Sequence, residues 1–242
     1  MASNTPTVTL DDPRISTGGN GVLSPPRFDG GDFGSPFFQM RLRRARLGLV
    51  VGLSGIVMIF ISFSSAYVVR QGLPTLDPRT NALLHDWFPV PLPRLLLINT
   101  IVLLISSVTV EMARRQAAGK VLAQSSSIPG VLADGKNEFS WLALTVVLGL
   151  SFLTGQWMAW RELAASGFYL ASSPSSSFVY LLTGMHGVHL FGGVVALLVA
   201  GVASVLRRPA DSQFIAVDVT GWYWHFMALL WVYILCLLEF VH

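Results

Sequence analysis

Two histidines three residues apart, His186 and His189, lie in a long uncharged stretch between Leu163 and Leu206. On a helix that spacing predicts a shared face. Imidazole ligates metals and haem iron, and it also donates and accepts hydrogen bonds. Such a pair could hold a metal, tie neighbouring helices together or meet a lipid headgroup. Gly184, Gly187, Gly192 and Gly193 surround it and permit close backbone approach, which favours a packed polar seam. A third histidine, His225, stands in Trp222-Tyr223-Trp224-His225-Phe226, where a hydrogen-bonded imidazole in an aromatic belt at the membrane interface is expected. His85 falls in a loop and His242 is the last residue.

Other polar groups offer less. Glu111 precedes Arg114 and Arg115 by three and four residues, a spacing that predicts ion pairs at a helix end, with a proton relay as the alternative. Asn99 and Gln156 are uncharged and are expected to bond between helices. The single cysteine, Cys236, excludes a disulfide framework and a multi-thiolate metal site. Met158, Met185 and Met227 read as gap-filling side chains.

The elements that carry these residues are apolar. The chain is 52% hydrophobic and 12% charged, whereas a soluble domain carries about 25% charged residues. A membrane-spanning helix needs about 20 apolar residues. Five stretches meet that need: Leu47 to Val69, Leu95 to Val110, Phe139 to Trp160, Phe178 to Val205, and about Val219 to Leu238. Ala164 to Ser177, rich in small residues and serine, reads as a loop. The expected fold is an all-α bundle of five transmembrane helices.

Loop charges orient it. Arg41, Arg43, Arg44, Arg46, Arg114, Arg115, Lys120, Lys136, Arg207 and Arg208 fall on one side, against Arg70, Arg79, Arg94 and Arg161 on the other. The basic side is cytoplasmic, so the N-terminus is expected inside and the C-terminus outside. This segregation accounts for the net charge of +3 as topology rather than nucleic-acid binding. Trp141, Trp157, Trp160, Trp222 and Trp224 are expected near the interfaces. Residues 1–45, with Pro25-Pro26 and Gly30-Gly31, read as a flexible cytoplasmic tail before a helical domain at 46–242. No Gly/Pro-interrupted pair of spans suggests a transporter built from inverted repeats.

Five short stretches bring a family into view. Phe178-Val179-Tyr180-Leu181-Leu182-Thr183-Gly184-Met185-His186-Gly187-Val188-His189 resembles a signature of oxidase subunit III, an aromatic, Leu-Thr-Gly, then His-Gly-x-His. Tyr223-Trp224-His225-Phe226 with downstream Trp231 is similar to that family's closing helix. Ser65-Ala66-Tyr67-Val68-Val69-Arg70, Leu97-Ile98-Asn99-Thr100 and Leu148-Gly149-Leu150-Ser151-Phe152-Leu153-Thr154-Gly155-Gln156 are similar to bacterial members. They keep the family's order over residues 46–242, and resemble its five-helix bacterial form.

The resemblance implies an accessory subunit of a haem–copper terminal oxidase in a bacterial cell membrane. It would bind catalytic subunit I beside subunit II and hold phospholipids. It would support proton uptake while electrons pass from cytochrome c to oxygen and protons are pumped. No cofactor is expected in this chain. Haem and copper belong to the partner subunits, because three membrane histidines and one cysteine cannot supply their ligands. Glu111, Arg114, Arg115, Gln156, His186, His189, Tyr223, Trp224, His225 and Trp231 are the expected lipid, subunit-interface or structural polar residues. The sequence departs from the family at Gly55, where many members carry a carboxylate, and at Met227 and Ala228, where an acid often follows the Tyr-Trp-His-Phe motif. Subunit III of a quinol oxidase and an accessory subunit of a nitric oxide reductase are the alternative readings.

Overall fold

The computed structural model describes residues 36–76, 83–84, 87, 93–125, 135–170, 172–206 and 209–240. The tail to residue 35, Arg79, His85, Arg207, Arg208 and His242 lie outside the described residues, as do the side chains of Lys136, Glu138 and Phe139.

Five helices follow one another: α1 (Pro36–Gly72), α2 (Leu95–Ser125), α3 (Gly135–Ala165), α4 (Pro174–Val205) and α5 (Ala210–Phe240). Each contains a segment long and apolar enough to cross a membrane. The all-α membrane bundle expected from the sequence is therefore the observed architecture. A two-residue antiparallel ladder, β1 (Thr75–Leu76) with β2 (Leu83–Leu84), is the only sheet among the described residues.

The helices outrun their apolar cores. α1 starts at Pro36 rather than near Leu47, and α5 at Ala210 rather than near Val219. The 37 residues of α1 span about 55 Å, well beyond the hydrocarbon thickness of about 30 Å. Hydropathy locates only the lipid-embedded part; the overhangs persist because they pack on each other. Phe38 of α1 meets Phe214 of α5 with ring centroids 6.2 Å apart, and Arg41 Nη2 donates to Ser212 Oγ at 3.2 Å.

The loop between α3 and α4 shrinks for the same kind of reason. Gly167, at φ 89°, takes the left-handed conformation after α3 that a side chain would resist. Its N–H bonds Ala164 O at 3.0 Å and that of Phe168 bonds Leu163 O at 3.1 Å, closing the helix end. Ser173 then caps α4 by accepting from Ser176 N, while Ser176 Oγ accepts from Ser173 N. Pro174 occupies the first turn, where a missing N–H costs nothing.

α2 packs on α3 and α5, and α4 also packs on α3 and α5, so these four close a ring. α1 lies outside it, against α4 and α5 only. Within a membrane, apolar side chains gain little by leaving lipid, so close packing and hydrogen bonds hold the helices together. Thr109 and Thr145 hydroxyls meet at 2.8 Å between α2 and α3. Trp224 Nε1 and Trp231 Nε1 of α5 donate to Ser106 Oγ and Thr100 Oγ1 of α2, both at 2.9 Å. Trp160 Nε1 of α3 donates to Thr183 Oγ1 of α4 at 3.0 Å. Beyond this ladder, Trp87 of the α1–α2 connection is buried against Tyr67 and Phe178 at one end of the bundle.

Candidate functional site

The charged residues converge on one carboxylate that sequence reasoning passed over. Asp218 of α5 is 1% exposed at its side chain, and a buried carboxylate is tolerated only when its charge is answered. Arg46 Nε of α1 reaches Asp218 Oδ2 at 3.0 Å, and Arg114 Nη1 of α2 reaches Oδ1 at 3.1 Å. Arg114 also grips Glu111 through two bonds, Nε to Oε2 at 2.9 Å and Nη2 to Oε1 at 3.3 Å. Arg115 Nε adds a bond to Glu111 Oε1 at 3.0 Å. His225 Nε2 stands 3.7 Å from Glu111 Oε2, an ion pair when the imidazole is protonated. The Arg114 guanidinium lies 5.8 Å from the centre of the Trp222 ring.

The expected pairing of Glu111 with both arginines is present. His225, by contrast, belongs to this charged network rather than to a hydrogen-bonded aromatic belt. Asp218 escaped notice because hydropathy starts the last helix one residue later. Its signal was the spacing from Asp211, seven residues earlier and so on the same face of one helix.

The histidine pair divides between two environments instead of sharing one. His186 points into the ring and is fully buried, with Phe152 at 5.9 Å and Trp231 at 5.1 Å between ring centroids. Neither of its nitrogens has a hydrogen-bond partner among the described residues. His189 Nδ1 lies 2.7 Å from Met185 O. A carbonyl only accepts, so Nδ1 carries the proton. The His189 ring sits edge-on to Phe60 of α1 at 5.9 Å, and Tyr223 OH donates to the His189 carbonyl at 2.8 Å.

Trp224 is not an interfacial anchor: it is fully buried, and its indole fills the space beside Gly149 and Gly193. Trp222 and Trp157 do face outward. Asn99 Nδ2 donates to Phe152 O at 3.2 Å, the expected tie between helices, and Gly155 leaves room for it. Gln156 is buried nearby, but its Oε1 finds no partner among the described residues.

Among the described residues no group of three His, Cys, Asp or Glu side chains is placed to hold a metal. His186 is walled in by aromatic rings, His189 Nδ1 is engaged with a carbonyl, and His225 faces a carboxylate. The arrangement can lock α1, α2 and α5 together at one end of the bundle. It also presents acid, base and imidazole groups there in contact with one another.

Comparison with known proteins supplies a family. The family model described as cytochrome c oxidase subunit III matches residues 37–241. The probable cytochrome c oxidase subunit 3 of Mycobacterium tuberculosis H37Rv is 29% identical over 198 residues, covering 81% of this chain and 87% of the relative. That of Mycobacterium leprae is 28% identical over 197 residues, with the same coverage. Cytochrome c oxidase subunit 3 of Danio rerio is 30% identical over 194 residues, covering 78% of this chain and 66% of the fish protein.

Proposed function

The chain belongs to the cytochrome c oxidase subunit III family, and from that premise we propose that it is the accessory, cofactor-free subunit of a proton-pumping haem–copper oxidase. It is a multi-pass membrane protein of an oxidase complex. In the proposed reading the complex sits in a bacterial inner membrane, takes electrons from cytochrome c and reduces oxygen. This subunit braces catalytic subunit I beside subunit II, holds phospholipid and supports proton uptake.

The observation that carries the reading is the network of Glu111, Arg114, Arg115, Asp218 and His225. It gathers titratable groups at the end of the bundle that the basic loops assign to the cytoplasm, the side from which protons are drawn. Asp218 and Glu111 are each held by arginine, so the network keeps its charge pattern while protons pass over its surface.

Two experiments test this. Reporter fusions after Arg115 and Arg208 are expected to report a cytoplasmic location, and fusions after Arg79 and at His242 an external one. A cytoplasmic C-terminus overturns the topology and with it the proton-side assignment. Stripping the subunit from the purified oxidase is expected to leave oxygen reduction partly intact. Proton uptake is expected to slow most at high pH, where free protons are scarce, and activity to be lost sooner per turnover. Identical pH profiles and lifetimes with and without the subunit refute the support role. Complete loss of activity with the haems retained refutes the accessory one. The haem–copper subunit that co-purifies in mild detergent decides among cytochrome c oxidase, quinol oxidase and nitric oxide reductase.

A further inference from the structure

At the end of the bundle opposite the charged network, the start of α2 and the end of α5 flank an open pocket of about 390 Å³. Leu96, Leu97, Leu235 and Cys236 line it, with Arg94 and Glu239 at its polar edge. Arg94 immediately precedes α2, and Glu239 lies in the last turn of α5, so both stand where the apolar spans give way to headgroups. Both side chains are exposed, and neither forms an ion pair among the described residues. One pocket therefore offers a cation and an anion, each unpaired among the described residues, above an apolar wall.

The helices reinforce that pattern. The N-terminus of a helix carries partial positive charge and the C-terminus partial negative charge. Arg94 sits at the positive end of α2 and Glu239 at the negative end of α5. A ligand suited to both ends bears an anion and a cation a few bonds apart, with a hydrocarbon chain beneath. We propose that this pocket binds a zwitterionic phospholipid with a primary-ammonium headgroup. The phosphate takes the Arg94 guanidinium, which donates in a fixed fork suited to phosphate oxygens. The ammonium donates to the Glu239 carboxylate, and an acyl chain lies along Leu96, Leu97 and Leu235. A choline headgroup has no N–H to donate to Glu239, and a glycerol headgroup has no cation to answer it. The site deepens the lipid-holding part of the proposed function, at a place the charged network does not touch.

Cys236 is the chain's only cysteine, and it lies one turn before Glu239 inside the pocket. Its exposed thiol is a built-in reporter. The complete oxidase complex is placed in nanodiscs of phosphatidylcholine alone, or with added phosphatidylethanolamine or phosphatidylglycerol. Labelling of Cys236 by an uncharged maleimide is followed by peptide mass spectrometry. Phosphatidylethanolamine is expected to slow labelling about tenfold relative to phosphatidylcholine, the scale of one charge-assisted hydrogen bond. Phosphatidylglycerol is not expected to do so. Glu239→Gln is expected to erase the difference between ethanolamine and choline lipids, and Arg94→Gln to remove protection by any phospholipid. Equal rates in all three lipid mixtures overturn the proposal. So does strong protection independent of lipid, which means that a neighbouring protein segment covers the pocket. Counting co-purified phospholipids separates the two failures. A complex that holds none refutes lipid holding altogether. One that holds lipid while Cys236 ignores headgroup chemistry refutes only this site.

Discussion

Asp218→Ala is expected to loosen α1 from α5 at the charged end of the bundle and to destabilise the subunit by about 2 kcal/mol. The substitution strands Arg46 and one contact of Arg114, each of which now shares the buried carboxylate. Removing one partner of a buried pair costs about 3–5 kcal/mol. The lower figure follows because the Arg46 side chain is 48% exposed and recovers hydration once released. Arg114 retains Glu111 and loses less. Asp218→Asn keeps the shape and an acceptor, so a smaller effect is expected from it. Arg46→Met combined with Asp218→Leu removes both charges of the α1 contact and is expected to recover part of the loss. Unfolding in a denaturing-detergent titration reads the stability. Crosslinking between α1 and α5 reads the loosening. An Asp218→Ala subunit as stable as the wild type would mean that the carboxylate is not carrying the contact.

The second large effect is expected at Gly149. A Cβ built there would lie 2.7 Å from Trp224 Cη2 and 3.1 Å from Val194 Cγ2. No flexible chain end is available to yield, because the indole is wedged across the ring and held to Ser106. Gly149→Ala therefore pushes α3 away from α4 and α5, at a cost of about 1–3 kcal/mol, the usual range for overfilling a packed core. Gly149→Val is expected to be worse. Trp224→Phe shortens the aromatic at the point of contact and gives up the Ser106 bond, and alone it costs about 1–2 kcal/mol. Together, Gly149→Ala and Trp224→Phe are expected to be less harmful than the sum of the two. The measurement is a double-mutant cycle on detergent unfolding. Simple additivity would show that the two positions do not compete for the same space.

These two sites differ in how far the sequence reveals them. Five spans are visible because a run of about 20 apolar residues without a charge is what crossing a bilayer as a helix demands. Helix ends are less visible. Pro36 to Arg46 and Ala210 to Asp218 are polar enough to pass for loops, and their helical state depends on contacts such as Phe38 with Phe214. The start of α4 is hidden in the same way: Ser173, Pro174 and Ser176 form its cap, yet a run of small residues and serine reads as loop. The Glu111 pairs follow from spacing alone, since three and four residues along a helix bring side chains together. The Asp218 contacts do not, because Arg46 is 172 residues away and Arg114 is 104. The histidines show the same limit. His186 and His189 are neighbours along α4, but α3, α5 and α1 decide what each one meets.

The position of α1 outside the ring also has a meaning in time. Ribosomes add about 5–20 residues each second, so the 172 residues between Arg46 and Asp218 take about 10–30 s to synthesise. α1 is made first, yet the helices it packs on, α4 and α5, are made last. α2 and α3 can pair as soon as both are in the bilayer, with Asn99 and Thr109 already facing Phe152 and Thr145. Throughout that interval α1 stands in the membrane with Arg46 unpaired, open to whichever lipid, insertase or oxidase subunit reaches it before its own chain does.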